Sequence, residues 1–223
     1  MQTEILYSPA FAMARVVLSP GESVAAESGA MVAMSPGVQI ETSVRGGLMS
    51  GLKRSVLGGE SFFMNNFTAV QGGDIMFAPT MSGDVVEWGL NNETVYLHSG
   101  AYLASAGSVT VDTSWGGSKG FFSGAGLILL KISSAGPLLV SSYGALHMIE
   151  LQAGQSYTVD TGHIVGFSET VQYVVRKAGN WKSTILGGEG LVVDVSGPGR
   201  VYMQTRNPEQ FLNWIIPHLP TKG

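Results

Sequence analysis

Three stretches of this chain repeat one turn-and-strand pattern, and that recurrence restricts the fold more than any single motif. PGESVAAESGAMVA surrounds Gly29, NNETVYLHSGAYLA surrounds Gly100 and AGQSYTVDTGHIVG surrounds Gly162. Each opens on a turn dipeptide and reaches its glycine seven residues after a Glu or Gln: Glu22 to Gly29, Glu93 to Gly100, Gln155 to Gly162. A second block recurs downstream, as LGGESFFMNNF around Gly59, FSGAGLILLKI around Gly124 and LGGEGLVVDV around Gly188. Self-similarity at such spacing marks repeated supersecondary units that bury their apolar faces against one another. The six glycines read as tight turns or bulges, where a Cβ would clash or φ must be positive.

Between the glycines lie short β-branched runs, VQIETSV at 38–44, SVTVDT at 108–113, VQYVV at 171–175 and GLVVDV at 190–195. Several alternate apolar and polar residues, as a half-buried strand requires. No helical period persists before residue 205. The expectation is a single all-β domain over 1–223, with three degenerate repeats over about 15–80, 85–150 and 151–205. A short C-terminal helix is predicted over 207–217: Asn207 caps it, Pro208 suits the first position and Pro217 stops it. Phe211, Leu212 and Ile215 would share a face docked on the β-core, with Trp214 beside them.

Composition narrows the function classes. Hydrophobic residues are 44% and charged residues 13%, too apolar for disorder. The longest uninterrupted aliphatic run, Leu127 to Leu130, is far below the roughly 20 residues that span a bilayer. The N-terminal segment lacks a basic region before an apolar stretch, so a cytoplasmic protein is expected. Without cysteine there is no disulfide framework or thiolate chemistry. The net charge of −4 gives no global pull toward nucleic acid or anionic lipid. His98, His147, His163 and His218 are isolated from one another, and no metal or other cofactor is expected. No serine elbow and no Walker loop is present. These readings point away from an enzyme.

The run GGLMSGLKRSVLGGESFFMNNFTA at 46–69 is similar to a hallmark segment of a family of prokaryotic proteins of unknown function. That family is related to the altered-inheritance-of-mitochondria (mitochondrial biogenesis) proteins of fungi. VDTGHIVGF at 159–167, the GPG at 197–199 followed by VYMQTRNP, and FLNWIIPHLP at the end match it as well. The resemblance implies a β-helix-like fold classed with the tryptophan RNA-binding attenuation protein, and no established enzyme activity. Kinship of fold carries no function by itself.

Charge is unevenly distributed. Residues 30–58, 101–123 and 163–187 carry seven basic and three acidic side chains, a net +4, against −8 for the rest of the chain. Lys53, Arg54, Lys119 and Lys182 lie there beside Leu52, Phe121, Phe122 and Trp181. If the repeats obey a threefold axis, these segments meet as one basic rim fit for an anionic membrane or a protein partner. The competing reading is snorkelling lysines over ordinary hairpins. The leading expectation is a non-catalytic scaffold or interaction module. A β-domain binding a small ligand or nucleic acid is the alternative. With few charges to guard its strand edges, the chain is expected to form a homo-oligomer.

Overall fold

The computed structural model describes residues 1–41, 64–112, 121–122, 127–178 and 190–220. The first third of the chain supplies β1 (Gln2–Leu6), β2 (Met13–Leu18), β3 (Ser23–Glu27), β4 (Met31–Met34), β5 (Val38–Glu41), β6 (Met64–Ala69) and β7 (Gly73–Phe77). The middle supplies β8 (Val85–His98), β9 (Tyr102–Ala106), β10 (Thr110–Asp112), β11 (Phe121–Phe122) and β12 (Leu127–Ser141). The last third supplies β13 (Leu146–Leu151), β14 (Ser156–Asp160), β15 (Ile164–Ser168), β16 (Gln172–Lys177), β17 (Leu191–Ser196) and β18 (Gly199–Gln204), then helix α1 (Pro208–Ile215). The protein is predominantly β, and none of its sheets closes on itself.

Alternation in the sequence becomes alternation in burial. On β2, Ala14, Val16 and Leu18 are buried, and on β17 Val193 and Val195 are. Such strands pair antiparallel along their length. β2 pairs with β7, the first half of β8 with the second half of β12, and β13 with β18. β3 pairs with β6, the second half of β8 with the first half of β12, and β14 with β17. On the far side of these ladders, β4 lies along β7, β9 along β12 and β15 along β18. Likewise β5 lies along β6, β10 along β12 and β16 along β17. Two more ladders, β3 with β9 and β8 with β15, tie successive thirds together.

Three apolar clusters fill the interior. One centres on Phe67, Ile75 and Phe77, a second on Trp88, Tyr102 and Ile132, and a third on Tyr96, Leu129 and Phe167. The Tyr102 hydroxyl, wholly buried, donates to the Ala25 carbonyl at 3.0 Å and lies 2.9 Å from Ser105 Oγ. Arg200 Nη2 donates to both Glu93 carboxylate oxygens at 2.7 and 2.9 Å, while its guanidinium sits 5.1 Å from the Trp88 ring centre. The Tyr102–Ala25 and Arg200–Glu93 bonds cross between thirds of the chain, so they hold segments far apart in sequence.

Register fixes which strand ends lie together. Glu27 faces Met64, His98 faces Leu129 and Asp160 faces Val192. β3, β8 and β14 therefore finish beside the start of β6, β12 and β17. The chain between β5 and β6, between β10 and β12, and between β16 and β17 joins those strands at this same end. The opposite end holds the short turns, where Glu22 Oε2 accepts from Ser19 N and Gln155 Oε1 accepts from Gln152 N, each at 2.8 Å.

The C-terminal helix is capped as its sequence predicts, with Asn207 Oδ1 accepting from Glu209 N at 2.9 Å and Gln210 N at 3.4 Å. It is shorter than 207–217, giving way to one 3-10 turn at Ile216–His218. Its docking also differs from expectation. Phe211 packs on Tyr143 with ring centres 6.0 Å apart, but Leu212 is 51% and Trp214 63% exposed. A helix of eight residues fixed by its first turn has too little length to lay a full stripe on the sheet.

Candidate functional site

A cavity of about 430 Å³ opens at the end where the three long connections leave the sheets. Glu27 at the end of β3, His98 at the end of β8, and Thr161 and Gly162 just after β14 all contribute to its wall. Gln204 at the end of β18, Asn207 and Leu212 of the C-terminal segment, and Met81 and Tyr143 complete the wall. The wall thus draws on all three thirds of the chain, and each arrives through a strand end.

Much of this wall is locked by hydrogen bonds. Asp160 Oδ1 accepts from Gly162 N at 2.9 Å and from Asn207 Nδ2 at 3.3 Å, coupling β14 to the helix cap. Gln204 Nε2 donates to the Gly162 carbonyl at 2.9 Å, while its Oε1 accepts from Tyr143 N at 2.9 Å. His163 Nδ1 donates to the Gln204 carbonyl at 2.7 Å, which fixes its tautomer because a carbonyl only accepts. Glu27 differs. No cation pairs with its carboxylate among the described residues, and burial pushes its carboxyl up to about 7. His98 and Glu209 share the cavity wall with it.

The repeat glycines stand here in different states. Gly29 has φ +92°, in the left-handed region that favours glycine. Gly162 is held by space: a Cβ would fall 2.2 Å from the Asn207 amide nitrogen. Gly100 corrects the expectation, because its φ is not left-handed and a Cβ would come only to 3.4 Å from the His98 ring. Gly59, Gly124 and Gly188 lie outside the described residues, as do Leu52, Lys53, Arg54, Lys119, Trp181 and Lys182. Phe121 and Phe122 form β11, paired with Ile128 and Leu127 of β12. The described residues hold no cluster of three His, Cys, Asp or Glu groups fit for a metal, and no helix long and apolar enough to cross a membrane.

Sequence reasoning missed the cavity itself. A signal was present two residues before Gly29 and Gly100, where Glu27 and His98 are polar at a strand end. Their differing chemistry hid that they share one wall.

Comparison with known proteins gives a consistent picture. The sequence model of the family described as mitochondrial biogenesis AIM24 matches residues 3–206. An uncharacterised protein of Streptococcus pyogenes serotype M6 is 30% identical over 231 residues, spanning all of this chain and 93% of that protein. A crystal structure of a Streptococcus pyogenes protein solved by a structural-genomics consortium is similar with a TM-score of 0.82 and 29% identity. That likeness covers 98% of this chain and 99% of the other.

Proposed function

This chain belongs to the mitochondrial biogenesis AIM24 family, and on that footing we propose that it is a non-catalytic interaction module of three like β-units that presents one end to an anionic membrane. The carrying observation is register. The segments holding Lys53 and Arg54, Lys119, and Lys182 each connect strands at the end where Glu27, His98 and Asp160 finish β3, β8 and β14. Three basic connections rooted at one end of a chain of net charge −4 form a directional charge pattern.

The three-unit reading, and with it the β-helix-like, attenuation-protein-like arrangement, is supported by the recurrence of one pairing scheme. β2–β7, β8–β12 and β13–β18 correspond, as do β3–β6, β8–β12 and β14–β17. The β13–β18 pairing supports counting β13 with the third unit of this reading, with a boundary at about 142–145 in place of 150. Engagement of Asp160, Asn207, Gln204 and His163 in structural hydrogen bonds supports a binding role for this end rather than a reacting one.

Each basic residue near an acidic bilayer contributes about 1 kcal/mol, so the four named give weak, reversible, salt-sensitive adsorption from the cytoplasmic side. Apolar neighbours and avidity add to it. The test is co-sedimentation with vesicles, with and without acidic lipid, at low and physiological salt. The comparison is wild type against a variant with Lys53, Arg54, Lys119 and Lys182 all changed to Glu. Binding that needs acidic lipid and is lost in the variant supports the proposal. Indifference of the wild type to acidic vesicles at low salt refutes it. Salt-steep binding to single-stranded RNA in the same series, without vesicle binding, assigns the charge to nucleic acid instead.

The cavity favours a second reading, a small-ligand site. Glu27 and Glu209 on its wall suit a small organic cation, with Leu212 and Met81 as apolar contacts. Titration calorimetry with alkylammonium and guanidinium probes tests it, and heats unchanged by Glu27→Gln contradict it.

A further inference from the structure

Among the described residues, two strand edges are unpaired at positions where the rest of the fold shows a joint. β3 meets β9 through Val24 opposite Ala106, Ala25 opposite Ser105 and Ala26 opposite Ala104. β8 meets β15 through Val95 opposite Ser168, Tyr96 opposite Phe167 and Leu97 opposite Gly166. Counted from Gly29, Gly100 and Gly162, the two joints have one register: the residue five before a glycine faces the residue six after the next. Each is extended by one more backbone bond, from Gly107 N to the Ser23 carbonyl at 2.9 Å and from Glu169 N to the Thr94 carbonyl at 3.0 Å.

The strands holding the remaining two positions are β14 and β4, and each is terminal in its own sheet. Every residue of β4 is exposed, with Met31 at 39%, Val32 at 55% and Met34 at 39%. On β14, Tyr157 is 56% exposed. Neither strand carries a Lys or Arg, the usual guard on an edge.

We propose that β14 of one copy pairs antiparallel with β4 of a second copy of this chain, with Tyr157 facing Ser35, Thr158 facing Met34 and Val159 facing Ala33. The partner is a second copy because this chain's own sequence supplies the matching edge, in the register that both internal joints use. The contact is head-to-tail, so it propagates until a ring closes or a filament grows. Pro36 occupies the position at which Gly107 and Glu169 donate, and proline has no N–H. The joint between copies therefore lacks one bond that the internal joints have, and association is reversible and concentration-dependent.

The absence of cysteine permits a clean test. Met34→Cys and Thr158→Cys proteins are made separately, mixed and oxidised. A mixed disulfide dimer is expected, far in excess of that from Met34→Cys mixed with Val174→Cys, whose cysteine lies on β16. Native mass spectrometry of untagged protein should show Pro36→Gly shifted to larger species and Val32→Lys shifted to monomer. Equal cross-linking in the control pair overturns the proposal. So does a monomer insensitive to concentration and to Pro36→Gly. A Met34→Cys/Thr158→Cys double variant that forms only an internal disulfide as a monomer overturns it too, since the two edges would then close within one chain.

Discussion

Gly162 lies against the side chain of Asn207, so that a Cβ at Gly162 would fall 2.2 Å from the Asn207 amide nitrogen. Asn207 caps the C-terminal helix and hydrogen-bonds Asp160, so one backbone position governs both the end of β14 and the start of α1.

Gly162→Ala is therefore expected to cost about 1–2 kcal/mol, the scale of a lost helix cap. Gly29→Ala should cost about 1 kcal/mol for its left-handed φ. Gly100→Ala should cost less than either, having only the His98 ring to displace. Chemical denaturation of the three variants ranks them, and Gly100→Ala emerging as the most damaging contradicts the assignment.

Tyr102→Phe removes a hydroxyl that is wholly buried between the first and middle thirds of the chain. It donates to Ala25 and meets Ser105, so the variant leaves partners without a bond in a dry interior, at about 1–3 kcal/mol. Restoring no stability in a Tyr102→Phe/Ser105→Ala double variant, relative to the single, would argue that the two hydroxyls are not coupled.

Glu27 supplies a pH dependence of definite sign. Its carboxyl is raised from an ordinary value of 4.5 to about 7 by burial, so the folded protein binds a proton there more tightly than the unfolded chain does. Stability from this group is fully present below about 4.5 and is lost as pH rises toward 7. His98 and Glu209 line the same cavity, and Asp160 bonds Asn207 at its wall. The comparison that isolates Glu27 is wild type minus Glu27→Gln. Across this window the urea midpoint of the wild type should fall relative to that of the variant. A constant difference would mean that Glu27 titrates as an ordinary surface acid.

The β content and the single C-terminal helix were written in the sequence to a useful degree. Equal distances from Glu22 to Gly29, Glu93 to Gly100 and Gln155 to Gly162 each cover the end of a strand two residues before the glycine, on β3, β8 and β14, because turns demand particular residues where strands tolerate many. Glu22 and Gln155 each accept a bond from a backbone N–H three residues earlier in a short turn, whereas Glu93 bonds Arg200. The cavity was not legible, since its wall forms only when strand ends distant in sequence converge. Nor was the exposure of Leu212 and Trp214, because helical periodicity says which face is apolar and not how much sheet is available to cover it. That β4 and β14 are terminal in their sheets among the described residues needed the topology, although Pro36 beside β4 was a hint of an edge.

Hydrogen exchange on acidic vesicles tests the central claim, that one end of the molecule meets the membrane. Amides over residues 42–63, 113–126 and 179–189 should all gain protection when vesicles are added. The turns at residues 19–22, 70–72 and 152–155, at the other end of the strands, should not change. Protection confined to one of the three segments, or appearing at the opposite turns, would contradict the account.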